Sequence, residues 1–423
     1  MSKPLLNINV QSSKVQLGAI DTPQLLYIMA DIHSPKDAAV SKMLPLNITL
    51  VVDKSTSMKG ERLRRLKEAA NLVVDKLSVG DIISVVSYSD RAEVVVPSTK
   101  LNNKTAIQNR ILGILASGGT EIFQGLAAGM KELAQVPLND YVSHLILLTD
   151  GHTYGDDQQC LELAQKAAAK GIGISAFGIG SEWNDEFLDA IVGPSGGQSG
   201  YISEPEQIIH FLRQRIQGLG ALYAQNVRLA ANLPEGITIV EGFKLSPFAQ
   251  PLKTSDAVIQ LGAIEGRMPL SILLELNVDP LPAGRTIMLP LSFKAQIPSH
   301  SEAELSINNV QNFAVVSHPR DRRMPESLVK AVQILNLYRM NEKVVHDLDL
   351  GHVDAATKRM ENLTRRFKEA GFVQLAKQAN AETQRLSLTG SISTEGRKQL
   401  KYGTRTQLTS SLDFDIDASN GME

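Results

Sequence analysis

The stretch that decides the fold is Asn47-Ile-Thr-Leu-Val-Val-Asp53-Lys-Ser55-Thr-Ser57. Its first half is an unbroken apolar run with β-branched residues, as expected of a strand buried on both faces. Its second half places oxygen-bearing side chains at alternate positions, Asp53, Ser55 and Ser57, where the chain leaves that strand. Two later segments repeat the chemistry. Ser117-Gly-Gly-Thr120 lies between two helical periods, and Thr149-Asp150-Gly151 follows the apolar run Leu145-Ile-Leu-Leu148. Oxygen ligands from loops at strand ends suit a hard cation such as Mg²⁺. In an open α/β sheet such loops line the crevice where ligands bind.

Working outward, residues 46–220 alternate strand and helix. Leu63, Leu66, Ala70, Val73 and Leu77 share one helical face after the first strand. Further strands are expected at 81–88, 92–96, 145–148, 174–179 and 199–203. Helices are expected at 103–115, 122–135, 157–170, 184–192 and 205–218. This alternation implies a doubly wound, mainly parallel sheet with helices on both faces.

At these residues the chain resembles a von Willebrand factor A domain, the fold shared by integrin I domains. Asp53-x-Ser55-x-Ser57, Thr120 and Asp150 match the metal-ion-dependent adhesion site of that family position for position. Gly118-Gly119-Thr120 and Thr149-Asp150-Gly151 are similar to its second and third loops. Asp53-x-Ser-x-Ser alone also suits an Asx turn or a helix cap; five positions in order, each after the right element, make the match specific. The resemblance implies a divalent cation, Mg²⁺ or Mn²⁺, held by Asp53, Ser55, Ser57, Thr120 and Asp150. One position is left for an Asp or Glu of a protein partner. It implies a binding module, not an enzyme.

The flanks differ in character. Residues 1–45 hold about three short β-runs, too few to bury a core alone. Residues 221–317 hold six more, broken by prolines. We expect the two to form one antiparallel β-sandwich into which the α/β domain is inserted. Residues 325–386 read as helices at 325–350, 353–370 and 373–386. Residues 387–423 are rich in Ser, Thr and Gly, with Arg397, Lys398, Lys401 and Arg405 before Asp413, Asp415 and Asp417. They are expected to be a tail of low order, regulated or used for docking, with Thr404, Thr406, Thr409, Ser410 and Ser411 open to phosphorylation.

Composition narrows the class. The 43 Lys and Arg nearly balance the 45 Asp and Glu, so global charge gives no reason to expect nucleic acid as a partner. The single cysteine, Cys160, excludes a disulfide within the chain. No run of about 18 apolar residues is present to span a membrane, and Met1–Val10 lacks the apolar core of a signal peptide. A cytoplasmic location is expected. Gly171-Ile-Gly-Ile-Ser-Ala-Phe-Gly-Ile-Gly180 flanks a strand instead of joining strand to helix, so it is not a dinucleotide loop. Cys160 reads as core. His152, beside the proposed site, reads as a solvated loop residue. Trp183 suits either a surface anchor or docking on its own domain, and Lys358, Arg359, Arg365, Arg366 and Lys368 suit a solvated helical face. Two other functions remain in view: an adaptor subunit for a chaperone-like assembly driven by a separate AAA+ ATPase, and a Mg²⁺-dependent hydrolase. The first needs another chain as motor. The second needs a further acidic cluster or phosphate cradle, which the sequence lacks.

Overall fold

A computed structural model describes residues 5–35, 44–153, 155–266, 268–298, 304–320 and 322–412. The chain starts with three strands, β1 (Asn7–Ser12), β2 (Gln16–Gly18) and β3 (Gln24–His33). It then enters the α/β unit: β4 (Leu46–Asp53), α1 (Glu61–Lys76), β5 (Ile82–Tyr88), β6 (Ala92–Lys100), α2 (Lys104–Leu112) and α3 (Ile122–Leu133). The second half of that unit is β7 (Val142–Thr149), α4 (Asp157–Ala169), β8 (Gly173–Ile179), α5 (Asp185–Val192), β9 (Ser199–Ile202) and α6 (Gln207–Gly220).

These six strands form one sheet in the order β6-β5-β4-β7-β8-β9, parallel except for the edge strand β6. The chain winds outward from β4 through β5 and β6, then restarts beside β4 with β7. The switch point therefore lies between β4 and β7, where a crevice opens at the strand ends. Every residue of β4 and β7 is buried. Alternation sorts their side chains: Ile48, Leu50 and Val52 pack with Leu63, Leu66 and Ala70 of α1, whereas Val51 joins Leu145, Leu147 and Leu126 on the opposite face. Helix α3 lies unusually close to the sheet. A Cβ on Gly125 would stand 2.6 Å from the Tyr88 ring, and one on Gly129 would stand 2.7 Å from Val51.

The flanking segments share two five-stranded sheets. The remaining strands are β10 (Leu222–Ala230), β11 (Ile237–Ser246), β12 (Gln250–Leu252), β13 (Val258–Glu265), β14 (Leu270–Val278), β15 (Thr286–Gln296) and β16 (Leu305–Val316). One sheet runs β1-β3-β14-β11-β12 and the other β13-β10-β15-β16-β2. The N-terminal strands thus enter both sheets. Pairing is antiparallel except for β2 with β16, which is parallel. Leu26, Ile28, Ala30 and Ile32 of β3 face the core between the sheets, and Met29 faces the other way.

That other face is covered by helices: α7 (Glu326–Asp349), α8 (Val353–Glu369), α9 (Val373–Thr389) and α10 (Thr394–Ser410). Leu328, Ile334, Leu335 and Tyr338 of α7 and Leu408 of α10 pack on Met29, Phe243 and Leu273.

Helix α10 corrects the expectation of a loose tail from residue 387. The Ser393 side chain caps it by accepting the Gly396 N–H at 2.9 Å. Thr404 is buried and donates to the Leu400 carbonyl, and Thr409 donates to the Leu245 carbonyl. Asp413, Asp415 and Asp417 lie outside the described residues. Three of the basic residues of α10 do not face water: Lys398, Lys401 and Arg405 are each at most 3% exposed. Lys398 Nζ donates to the Ser181 carbonyl at 2.6 Å and stands 4.1 Å from the centre of the Trp183 ring. Trp183 is accordingly a docking residue inside the molecule, not a surface anchor. Cys160 is buried in the core, where burial pushes its thiol pKa up.

Candidate metal centre

The site is built on the two strands that flank the switch point. Asp53 ends β4, and Asp150 follows β7 by one residue. The chain after Asp53 forms a short turn of 3-10 helix at Thr56–Met58, which turns Ser55 and Ser57 toward the crevice. The second loop is tied to the first by backbone bonds. Ser117 N–H donates to the Lys54 carbonyl at 2.7 Å, and Thr56 N–H to the Gly118 carbonyl at 3.1 Å. Gly118 has φ +80, a conformation glycine adopts at little cost. Asp90 accepts the Gly119 N–H at 2.9 Å and so fixes the approach to Thr120. The third loop caps α3: Thr153 Oγ1 accepts the Ile122 N–H at 3.1 Å, and Asp156 Oδ2 accepts the Phe123 N–H at 2.8 Å. Thr120 and Asp150 are thereby held in mutual register.

The five sequence-derived residues converge. Asp53 Oδ1 accepts the Ser55 N–H at 2.8 Å. The Ser55 and Ser57 hydroxyls are 3.0 Å apart, and Ser57 Oγ donates to Asp150 Oδ1 at 2.7 Å. Thr120 Oγ1 lies beside Gly151, 3.3 Å from where a Cβ of that residue would stand. Asp53, Ser55, Thr120 and Asp150 are buried, while Ser57 is exposed and marks the open side.

Three supporting residues were not apparent from the sequence. Thr149 Oγ1 donates to Asp53 Oδ2 at 2.9 Å, and Tyr88 OH approaches the same oxygen at 3.4 Å. Arg62 Nη1 donates to Asp150 Oδ2 at 2.7 Å. Thr149 precedes Asp150 directly, so its role had a positional hint. Tyr88 and Arg62 come from β5 and α1, and only the fold brings them here. His152 is exposed, as the sequence suggested.

The electrostatics are unbalanced. Burial pushes the Asp53 carboxyl up to about 6; hydrogen bonds from Ser55 and Thr149 oppose this, and the nearby charge of Asp150 adds to it. Burial, with the adjacent Asp53, raises the Tyr88 hydroxyl well above its usual range, so it stays a neutral donor. Two buried carboxylates thus stand against one guanidinium, which bonds to Asp150. Among the described residues, no group of three or more His, Cys, Asp or Glu side chains is placed to hold a metal. The donor set here is different: two carboxylates and three hydroxyls. All-oxygen donors with surplus negative charge fit a hard divalent cation.

Comparison with known proteins agrees with this fold. Residues 47–214 match the family described as von Willebrand factor type A domain. This segment has the von Willebrand factor A fold. Residues 326–410 match the family described as Sll0103-like, C-terminal alpha-helical domain. The chain is 32% identical over 272 residues to the uncharacterized protein sll0103 of Synechocystis sp., a match covering 62% of this chain and 64% of that one. It is 27% identical over 199 residues to inter-alpha-trypsin inhibitor heavy chain H1 of Homo sapiens, covering 44% of this chain and 21% of the relative. The chain therefore spans under two thirds of the first relative and about a fifth of the second. A solved von Willebrand factor type A protein from Catenulispora acidiphila superposes with a TM-score of 0.74 at 17% identity, covering 96% of this chain and 98% of that one. The ArnB paralog VWA2 from Sulfolobus acidocaldarius gives a TM-score of 0.61 at 16% identity, covering 95% and 98%. At such identities these likenesses establish the architecture: an A domain carried with strands and a C-terminal helical region.

Proposed function

We propose that the protein is a divalent-metal-dependent binding module that captures an acidic residue of a protein partner at the A-domain crevice. The observation that carries this reading is the convergence of Asp53, Ser55, Ser57, Thr120 and Asp150 at the switch point, with more buried negative than positive charge. In the proposal Ser55, Ser57 and Thr120 supply neutral oxygens to the ion, and Asp53 and Asp150 supply charge, directly or through water. Mg²⁺ or Mn²⁺ held there would supply a Lewis-acidic centre with a free position for a carboxylate oxygen. Thr149 and Tyr88 hold Asp53 in place, and Asp90 holds the second loop.

A binding role is favoured over turnover because the hydroxyls beside the acids are already committed. Ser57 donates to Asp150, and Ser55 lies against Ser57. The histidine nearest in sequence to Asp150 is exposed His152. The remaining parts of the proposal are a split sandwich of residues 1–45 and 221–317 as scaffold, an inserted domain of residues 46–220, and a cytoplasmic location. Among the described residues no helix is long and apolar enough to cross a membrane. The deciding experiment is calorimetry with Mg²⁺ and Mn²⁺ on wild type and Asp53→Ala, followed by affinity capture with and without EDTA. Metal binding and EDTA-sensitive capture, both lost in the variant, are expected. Absence of metal binding at millimolar ion rejects the proposal.

A further inference from the structure

Arg62 is the one cation seen on the acids of the crevice among the described residues, and its placement is constrained on two sides. It sits in the first turn of α1, two residues after Gly60, whose φ of +92 turns the chain out of the Asp53–Lys59 loop. Its Nη1 donates to Asp150 Oδ2 at 2.7 Å, the oxygen that Ser57 leaves free. The Asp150 side chain is fully buried, while that of Arg62 is 35% exposed. On its other side the guanidinium lies against Gly180 after β8. A Cβ there would stand 2.9 Å from Nη2 and 3.3 Å from Cζ. The neighbouring arginines are engaged elsewhere, Arg64 and Arg65 with Glu61 and Glu68 on the helix surface.

This geometry has an electrostatic consequence. With two carboxylates alone, a bound divalent cation would be neutralised. With Arg62 on Asp150, the centre keeps one net positive charge. Ser57 and Arg62 take different oxygens of Asp150, so the guanidinium need not leave for the serine side of the crevice to be used. We propose that Arg62 is a specificity-determining residue of this centre: it loosens the hold on the cation and in exchange strengthens capture of an incoming carboxylate. The inference rests on the metal-binding reading of the same site. It assigns the arginine a role opposite in sign for the two ligands, which a merely structural residue would not show.

The test uses the full chain, Mn²⁺ as the ion and acetate as the carboxylate probe. Mn²⁺ affinity is read by calorimetry, and acetate affinity by paramagnetic relaxation of its methyl protons on the Mn²⁺-loaded protein. Arg62→Gln is expected to raise Mn²⁺ affinity about tenfold and to lower acetate affinity about threefold or more, the scale of one unit charge acting over several ångströms in a partly solvated crevice. Arg62→Lys, which keeps the charge but loses the planar fork, should move both values the same way by less. Lys59→Gln, a charge removed from an exposed position on the same loop, should change each by less than about twofold through screening. Should Arg62→Gln fail to give a wild-type circular dichroism spectrum, the signs in Arg62→Lys decide. Unchanged or weakened Mn²⁺ binding, or undiminished acetate binding, overturns the role of Arg62 while leaving the metal site standing. A wild type that binds no Mn²⁺ removes the site and this inference with it.

Discussion

The A domain encloses two pairs of aspartates, three of the four acids buried and Asp189 partly, and the pairs are treated in opposite ways. At the crevice, Asp53 and Asp150 meet hydroxyls and a single arginine. On the flank, Asp185 and Asp189 of α5 meet Lys401 and Arg405 of α10. Arg405 grips Asp189 with both ends of its fork, at 2.9 and 2.6 Å, and Lys401 pairs with Asp185 and lies 3.3 Å from Asp189. Burial alone would raise Asp53, Asp185 and Asp189. At Asp189, Arg405 and Lys401 outweigh burial and hold it well below the usual carboxylate range. At Asp53, burial wins and the carboxyl rises to about 6. Burial therefore does not identify a functional acid. The local charge balance separates the two: the flank is satisfied and fastens the helical region to the A domain, whereas the crevice keeps surplus negative charge.

The largest expected effect breaks the satisfied side. Arg405→Met leaves the partly buried Asp189 with Lys401 alone in place of its two-pronged partner, and should cost about 3 kcal/mol in urea unfolding. A loss under about 1 kcal/mol would show that the flank is not a structural lock. The same variant, where folded, should bind Mg²⁺ as wild type does.

The crevice should respond in the reverse manner. Asp53→Ala removes one of two like charges, so the metal-free variant should unfold within about 1 kcal/mol of wild type. Wild type should gain about 2.7 kcal/mol at an ion concentration one hundred times its Kd, and the variant nothing. Thermal melts with and without Mg²⁺ check both statements. Strong destabilisation of metal-free Asp53→Ala would erase the distinction between the two aspartate pairs.

Lys244 is an intermediate case. It is buried where the A domain meets the sandwich, donates to the Gly196 carbonyl and lies 4.0 Å from the centre of the Phe248 ring. Burial brings its pKa down to about 7, with Glu265 opposing and Arg215 adding to the fall. The unfolded chain keeps this proton to about pH 10.4 and the folded chain releases it near 7. Between those values the unfolded state binds more protons, so stability rises with pH. The slope contributed by Lys244 should approach about 1.4 kcal/mol per pH unit, giving about 1 kcal/mol from pH 7.5 to 8.5. Lys244→Met should lose that component of the pH profile. An unaltered profile would mean that the ammonium is compensated as fully as the flank.

The smallest effect is at Thr120. Thr120→Ala should alter stability by less than about 1 kcal/mol, since its loop is held by backbone and Asp90 contacts. Its consequence should be weaker metal-dependent partner capture. Equal loss of folding and capture would make Thr120 structural.

Much of the A domain was legible because its signals are local. Apolar runs announced β4 and β7, and the oxygen-bearing residues that follow them are adjacent in sequence. Helix α10 was not legible. Lys398, Lys401 and Arg405 look like the charges of a solvated stretch until the acids of α5 and the ring of Trp183 are opposite them. The available signals were modest: Ser393 as a cap, and Leu400 and Leu408 spaced to share a face. The edge strand of one sandwich sheet, β12, is only three residues long and carried no periodicity to read.

By itself the sequence determined the order of strands and helices in residues 46–220 and the five oxygen-bearing residues of the crevice, because periodicity and side-chain chemistry are properties of neighbouring residues. Only the tertiary structure decided which buried acids are balanced. Arg62 meets Asp150 across 88 positions of chain, and Arg405 meets Asp189 across 216. Coulomb energy depends on distance through space and on exclusion of water, and neither is written in the spacing of charges along a chain.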